Sequence, residues 1–485
     1  MLKVKNLWSA AALVIVFYAF SYAAGSPIAE LKADAGNIEI NVPQVKESVS
    51  VRSSDSDRAH AQWLEAKKLY SDGTYTPRSR TRIDGNGSKA VMLQGFHWYA
   101  DNYHLHLANG WWGEIASKAS EIGRAGFNLI WIPPVSVGSY YPTQWYNLNS
   151  QWGNQENLVN AVKKLHSASV YVVGDMVLNH RNGTTDWYDF TNPDWPSTVI
   201  TQNDEWAGIS ALPNNGKSPN YDEGANESGC RDLDHTQKIV QDDTKVFMRW
   251  LQNKIGIDGW RYDMVKGYAA YYVGMYNKAT MPSFSVGEYF DGNRQLVTNW
   301  IDGTDNSGGK AGASSAFDFP THFLLQSAVE SDNYNNMSDN GRPAGLIGWW
   351  PAKSVTFVEN HDTSPRDENF IANASQTYKD QRLVEYAYIL THPGLPCVFW
   401  PHYFDWGSSY KDKLQTLINI RKQAGISSTS SVQIYRAEHG LYAAVIEGDK
   451  QRVAVKLGSS WNWQPGEGWT MATNGEKFAV WTAPK

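Results

Sequence analysis

The decapeptide Gly-Trp-Arg-Tyr-Asp-Met-Val-Lys-Gly-Tyr, residues 259 to 268, sets a cation and a carboxylate two positions apart, Arg261 and Asp263. It closes a short apolar run, Ile257 to Tyr262, that reads as a buried strand, and residues i and i+2 of a strand share a face. The guanidinium can therefore lie beside the carboxylate and keep it ionised, hydrogen-bonded and fixed in direction. A carboxylate nucleophile needs this, although the decapeptide alone fits a structural Arg–Asp pair equally well. Further acids widen the chemistry: Glu288 after Val286-Gly287, and Asp362 in Asn360-His361-Asp362. Glycoside hydrolysis needs one carboxyl that gives a proton to the leaving oxygen and one carboxylate that attacks or activates water. Glu288, flanked by Val286-Gly287 and Tyr289-Phe290, is in more apolar company than Asp263, which favours its protonated form. Environments that push two acids apart assign their roles, with Asp263 as nucleophile and Glu288 as general acid/base. Asp362 then stabilises an oxocarbenium-like transition state or holds a sugar hydroxyl. His180 and His361 are candidate donors to sugar hydroxyls, though either alone reads more readily as a structural histidine.

These residues need a frame that brings them to one place. From Ala90 the chain repeats short apolar runs, each followed by a loop and in several cases a helical pattern: Ala90 to Leu93, Leu129 to Ile132, Val170 to Gly174, Ile257 to Tyr262, Phe284 to Gly287, Ala316 to Phe319, Val355 to Val358 and Pro396 to Trp400. Near-continuous apolar strands joined by long crossovers predict a parallel sheet buried on both faces, and eight such units close into a (β/α)8 barrel. Gln94, Asp175, Asn179, His180, Arg261, Asp263, Glu288, Asn360, His361 and Asp362 all follow their strands closely. The pattern predicts a carboxylate-lined pocket at the C-terminal mouth.

The division that follows is a catalytic barrel over 87–181 and 236–424, an inserted domain over 182–235 after the third strand, and a C-terminal antiparallel β domain over 425–485. The insertion is rich in Asn, Asp, Gly and Pro, and a loop of this length is usually functional. Alternating patterns such as Val432 to Tyr435 and Phe478 to Trp481, with turns at Gly448-Asp449 and Asn474-Gly475, mark the last domain. Residues 24–86 have low hydrophobicity and polar clusters such as Ser53 to Asp57, so they read as an extension or linker. One amphipathic helix, Arg58 to Tyr70, interrupts it.

Composition narrows the class. A net charge of −6 is spread along the chain, so neither a nucleic-acid partner nor a membrane surface is expected. The 22 Trp and 26 Tyr include pairs set among polar residues, Trp111-Trp112, Tyr140-Tyr141 and Trp349-Trp350. Flat rings with polar edges suit stacking on sugars, though a large barrel also buries many aromatics. Lys3 and Lys5, the apolar run Ala10 to Phe20 and the small residues around Ala23 read as a secretory signal over 1–23, because the run is too short to span a bilayer. A secreted protein is expected. Only Cys230 and Cys397 are present, so no disulfide framework holds the fold, and Cys397 reads as a buried free thiol.

Asp175-Met-Val-Leu-Asn-His180, Gly259 to Tyr268, Val286-Gly-Glu288 and Phe357-Val-Glu-Asn-His-Asp362 resemble, in order, the four signature regions of the α-amylase family of glycoside hydrolases, family 13, and Asp232-Leu-Asp-His235 resembles its fifth. Gly345 to Lys353, Tyr388 to Cys397 and the ending up to Trp481 are especially similar to plant-type members. The resemblance covers about residue 88 to the C-terminus.

The resemblance implies a retaining, endo-acting enzyme that cleaves α-1,4 bonds of starch, glycogen and maltooligosaccharides through a covalent glycosyl-enzyme, and it implies a monomer. A maltooligosaccharide-forming exo-amylase is the alternative. Asp263 falls on the family nucleophile, Glu288 on the proton donor and Asp362 on the transition-state stabiliser. Arg261, His180 and His361 fall on residues around the scissile bond, Tyr140 on the aromatic platform beneath that sugar, Lys266 on a leaving-group subsite, and Trp349-Trp350 on a surface pair that holds starch granules. A structural Ca2+ is implied, held by the Asn179 side chain, the Asp232 carboxylate and the Gly267 carbonyl, oxygen ligands that suit this ion. Two departures stand out. Glu359 takes the place of the usual Asp, and Gly267 replaces the His of animal and fungal members. The insertion aligns poorly, so its acids Asp204, Glu205, Asp222 and Glu223 are open as ligands or as solvated side chains.

Overall fold

The computed structural model describes residues 53–77, 80–103, 109–204, 216–225, 229–305, 312–368 and 373–485. The signal segment and Glu205 lie outside them. Eight parallel strands close into a barrel in sequential order: β1 (Met92–Gln94), β2 (Leu129–Ile132), β3 (Tyr171–Met176), β4 (Gly259–Tyr262), β5 (Phe284–Gly287), β6 (Ser315–Phe317), β7 (Ser354–Phe357) and β8 (Leu395–Phe399), which pairs back onto β1. Each coincides with one of the eight apolar runs. Leu-Ile-Trp-Ile of β2 is buried at every position, as a strand covered on both faces must be.

The outer layer holds helices that pack on these strands. They include α2 (Gly110–Ala125), α3 (Gln155–Ser167), α4 (Lys238–Trp250), α5 (Ala270–Thr280), α6 (Arg294–Gly303), α7 (Phe319–Ser331), α8 (Gln376–Thr391) and α9 (Ser408–Ala424). Local sequence sets their limits. The Asn154 side chain caps α3 by accepting from the Asn157 amide, and Gly126 ends α2 at φ 98°, where a Cβ is disfavoured. α4 stops earlier than the helical pattern Lys245 to Lys254 predicts, because Leu251–Ile255 forms a wider π turn. A five-stranded antiparallel sheet follows: β9 (Val432–Glu438), β10 (Leu441–Glu447), β11 (Gln451–Leu457), β12 (Thr470–Asn474) and β13 (Phe478–Pro484), in the order β9-β10-β11-β13-β12.

The segment read as a linker behaves differently. A helix α1 (Ser53–Tyr70) starts before the predicted Arg58 and packs on α4, burying Ala59, Trp63 and Ala66 at helical spacing. Ion pairs fix its end: Asp72 bridges Lys245 and Arg249, the latter at 2.8 Å, and Glu65 meets Lys254 at 2.7 Å. Beyond it, the Ile83 amide donates to the Ser283 carbonyl at 2.9 Å, and the Ser428 hydroxyl donates to the Gly85 carbonyl at 2.6 Å. The low hydrophobicity that suggested a linker reflects a narrow apolar stripe flanked by charges that find partners only across the fold.

Cys230 and Cys397 are both buried, and no disulfide joins them. Among the described residues no helix is long and apolar enough to cross a membrane.

Candidate active site

Strand register builds the centre of the site. Asp175 on β3 and Arg261 on β4 are direct ladder partners, so their side chains leave the same end of the barrel side by side. Arg261 Nη1 donates to Asp175 Oδ1 at 2.8 Å and to Asp263 Oδ1 at 2.6 Å, and Nη2 lies 2.6 Å from Glu288 Oε1. The sequence reading gave Arg261 to Asp263 alone. In the fold this fully buried guanidinium serves three acids at once.

Backbone bonds hold the two outer acids in place. The parallel ladder continues past its strands, with the Asp263 amide donating to the Met176 carbonyl at 3.0 Å and the Glu288 amide to the Tyr262 carbonyl at 2.9 Å. Met264 then turns into the left-handed region at φ 43° and aims its N–H at Glu288 Oε2, 3.1 Å away. Strain of this kind, costing roughly 1–3 kcal/mol, persists where surrounding structure over-determines it. Burial pushes the Glu288 carboxyl well above its ordinary value, and the charges of Asp263 and Asp362 push the same way against Arg261. Glu288 is thus suited to carry a proton.

Asp362 follows β7 in a turn closed by Asn360, whose Oδ1 accepts from the amides of Asp362 and Thr363, both at 2.8 Å. Burial works against its ionisation, and His361, Arg366 and Arg261 overcome this to hold the carboxyl below its usual range. His361 Nε2 is 3.3 Å from Asp362 Oδ2, and its Nδ1 is 3.2 Å from the Gln94 amide nitrogen after β1. Burial pulls this imidazole down to about 4, so it is neutral near pH 7. With Nδ1 accepting from Gln94, Nε2 carries the proton on the side of the carboxylate.

Aromatic rings form one wall. Tyr140 donates its hydroxyl to Asp175 Oδ2 at 2.8 Å, Trp131 donates to the same oxygen at 3.0 Å, and Asp175 is the buried hub linking platform to cation. The Tyr140 ring lies nearly parallel to His361, centroids 5.1 Å apart, and to Trp98 at 5.9 Å. His180 does not present a free edge to this wall: its Nε2 is 2.9 Å from the Tyr140 carbonyl. It therefore props the platform loop.

Lys266 sits on the loop after β4 with Nζ 3.0 Å from Asp291 and 3.4 Å from the Phe290 carbonyl, on the Glu288 side. Trp349 and Trp350 lie apart from this cluster. Trp349 is 43% exposed with the Arg294 guanidinium 3.8 Å over its ring, whereas Trp350 is half-buried against the core, so the two rings do not present equally. Glu359 is turned away from the mouth and bonds Arg382, His402 and Tyr378.

The residues expected to hold a cation converge. A two-residue antiparallel ladder pairs His180-Arg181 with Arg231-Asp232, placing Asn179 beside Asp232. Asn179 Oδ1 is buried with no hydrogen-bond partner, and a Cβ at Gly267 would lie 1.9 Å from it, so a side chain at 267 would have to push the Asn179 amide aside. Asp222 joins them: burial raises its carboxyl, with Asp232 close by, and its Oδ2 is buried with no hydrogen-bond partner, which a proton or a cation would satisfy. Among the described residues no three His, Cys, Asp or Glu side chains gather as a metal cluster. The set here mixes amide, carbonyl and carboxylate oxygens, which is hard-cation chemistry. Asp204, by contrast, is neutralised by Arg231 at 2.6 Å.

Asp175 was visible in the sequence as a strand-end acid. Gln94 was visible in the same way after the first strand, whereas Trp98 and Arg366 emerged as neighbours only through barrel closure, and Asp222 stood out only as one acid of an acidic insertion.

Known proteins resemble this chain in sequence and fold. Residues 74–282 match the family model of the α-amylase catalytic domain, and residues 423–482 match that of the α-amylase C-terminal β-sheet domain. The chain is 37% identical over 420 residues to probable α-amylase 2 of Arabidopsis thaliana, covering 81% of this chain and 94% of the relative. It is 28% identical to a glucan 1,4-α-maltotetraohydrolase of Stutzerimonas stutzeri over 79% of this chain and 70% of that protein. The fold superimposes on an Anoxybacillus α-amylase with a TM-score of 0.60 at 16% identity, across 83% of this chain and 97% of that one. With its closed barrel, appended β-sheet domain and matched catalytic and C-terminal models, the chain belongs to the α-amylase family and is a glycoside hydrolase.

Proposed function

We propose that the protein is a secreted, retaining, endo-acting α-amylase that hydrolyses internal α-1,4-glucosidic bonds of starch and glycogen. The observation that carries this reading is the single Arg261 guanidinium lying 2.6 Å from both Asp263 and Glu288. Two carboxyls held on one guanidinium suit the close spacing of retaining enzymes, roughly 5–5.5 Å, better than the inverting gap of about 6.5–9.5 Å. In the first step Asp263 attacks the anomeric carbon, the glycosidic C–O bond breaks, and Glu288 passes its proton to the departing oxygen. In the second step water attacks the same carbon, gives its proton to the Glu288 carboxylate, and Asp263 leaves. Asp362 stabilises the oxocarbenium-like charge between these states, Tyr140 and His361 pack against the reacting sugar, and Lys266 serves the leaving-group side.

The substrate class is supported by the names of the relatives, an α-amylase and a maltotetraohydrolase. The second of these keeps an exo-acting, maltooligosaccharide-forming activity as the alternative. The exposure of the Trp349 ring supports a surface contact with glucan. Asn179, Asp222, Asp232 and the Gly267 carbonyl would hold Ca2+, which supplies no chemistry to the reaction but ties the insertion to the loop after β4. The order of basic, apolar and small residues over 1–23 supports export.

Amylose followed by iodine staining beside reducing-end release tests the reading, with Glu288→Gln as control. Rapid loss of stain at low reducing-end yield, absent in the variant, is the expected result. Slow loss with abundant short products would replace it with the exo alternative, and no turnover would remove it.

A further inference from the structure

Arg366 occupies a place that no motif assigns to it. Its guanidinium lies 2.6 Å from Asp362 Oδ1 and 4.4 Å over the Trp98 ring. Its backbone is held by the Tyr99 hydroxyl, which donates to the Arg366 carbonyl at 2.6 Å. Half of the Arg366 side chain is in solvent, whereas the carboxylate it covers is 24% exposed. One arginine therefore covers two features at once. These are one oxygen of the third acid and one face of Trp98, whose ring lies nearly parallel to those of Tyr140 and His361.

We propose that Arg366 is a displaceable latch that sets the minimum length of substrate on this side of the cleft. The inference rests on the reading of Asp362 as a sugar-contacting acid. A sugar ring whose hydroxyls bond Asp362 must take the place of the guanidinium on Oδ1. A ring that stacks on Trp98 must take its place on the indole face. Each displacement breaks an interaction, and a glucan long enough to do both regains a charge-assisted hydrogen bond and a stacked ring together. A short oligosaccharide that reaches only Asp362 loses the Arg366 pair without the compensating stack. Arg366 thus acts as a specificity-determining residue through competition for the carboxylate.

The test compares Arg366→Ala and Arg366→Lys with the unaltered protein on maltotriose and on amylose. Removing the latch is expected to raise kcat/KM for maltotriose about five-fold relative to amylose, the ratio that a partly exposed ion pair supports. The lysine variant, which keeps the charge but not the planar stack, should fall between. Calorimetric titration of maltotriose and maltoheptaose into Glu288→Gln, with and without Arg366→Ala, reads the same preference without turnover. There the alanine change should tighten maltotriose about five-fold more than maltoheptaose. Equal changes for short and long glucans, or weaker maltotriose binding in the alanine variant, would overturn the latch. Failure of the unaltered protein to cleave either glucan would instead remove the functional reading, while the titration still decides the latch; binding of neither glucan removes both.

Discussion

A methyl group added at Gly267 would lie 1.9 Å from Oδ1 of Asn179. This close approach joins the loop after β4 to the loop after β3, and a side chain at 267 would displace the Asn179 amide oxygen proposed for Ca2+. Gly267→Ala should therefore lower the melting temperature by a few degrees, because forced overpacking costs typically 1–3 kcal/mol. It should also abolish any rise in melting temperature on adding Ca2+. Differential scanning calorimetry in chelator and in millimolar Ca2+ checks both.

Chelation of the unaltered protein should lower thermal stability, since an ion bound only by the folded state stabilises it by mass action. Asp222→Asn removes one of two carboxyls that meet in a buried place, so its stability should depend less on added Ca2+. An unchanged melting point after metal removal confirmed by elemental analysis would exclude the ion.

Asp263→Asn should reduce kcat about 10⁴-fold or more, the scale seen when a nucleophile is lost. Its melting temperature should stay within a few degrees, because the amide oxygen can still accept from Arg261. Activity within ten-fold of the unaltered protein would mean that Asp263 is not the nucleophile.

Asp362→Asn tests the electrostatics of the proton donor. The charge of Asp362 raises the Glu288 carboxyl, so neutralising it should lower that group and move the alkaline limb of kcat/KM to lower pH. The residual activity, expected to fall about 10²-fold or more, is sufficient to trace the profile.

Trp63→Ala tests the helix that precedes the barrel. Trp63 is 7% exposed against α4, and truncating a buried Trp costs about 3 kcal/mol or more. Urea unfolding should show that loss, and a change below about 0.5 kcal/mol would mean that α1 docks without stabilising the barrel.

Particular residues show how far the sequence could be read. The eight apolar runs all became barrel strands, because a strand buried on both faces writes its burial into consecutive residues. Asp263, Glu288 and Asp362 were legible as strand-end acids, and i, i+2 spacing alone put Arg261 beside Asp263. The docking of α1 was not legible. Ala59, Trp63 and Ala66 make a thin stripe, and Asp72 finds Lys245 and Arg249 only when segments distant in sequence meet.

By itself the sequence determined the strands, their order and the identity of the acids, since these follow from local periodicity and from residue type. Only the tertiary structure decided which groups share a partner. Closing the barrel made Asp175, Asp263 and Glu288 neighbours of one guanidinium, turned His180 onto the Tyr140 carbonyl, and laid Arg366 across Asp362 and Trp98. Electrostatic coupling depends on distance and burial, and both are set by strand register and by loops that meet across the mouth.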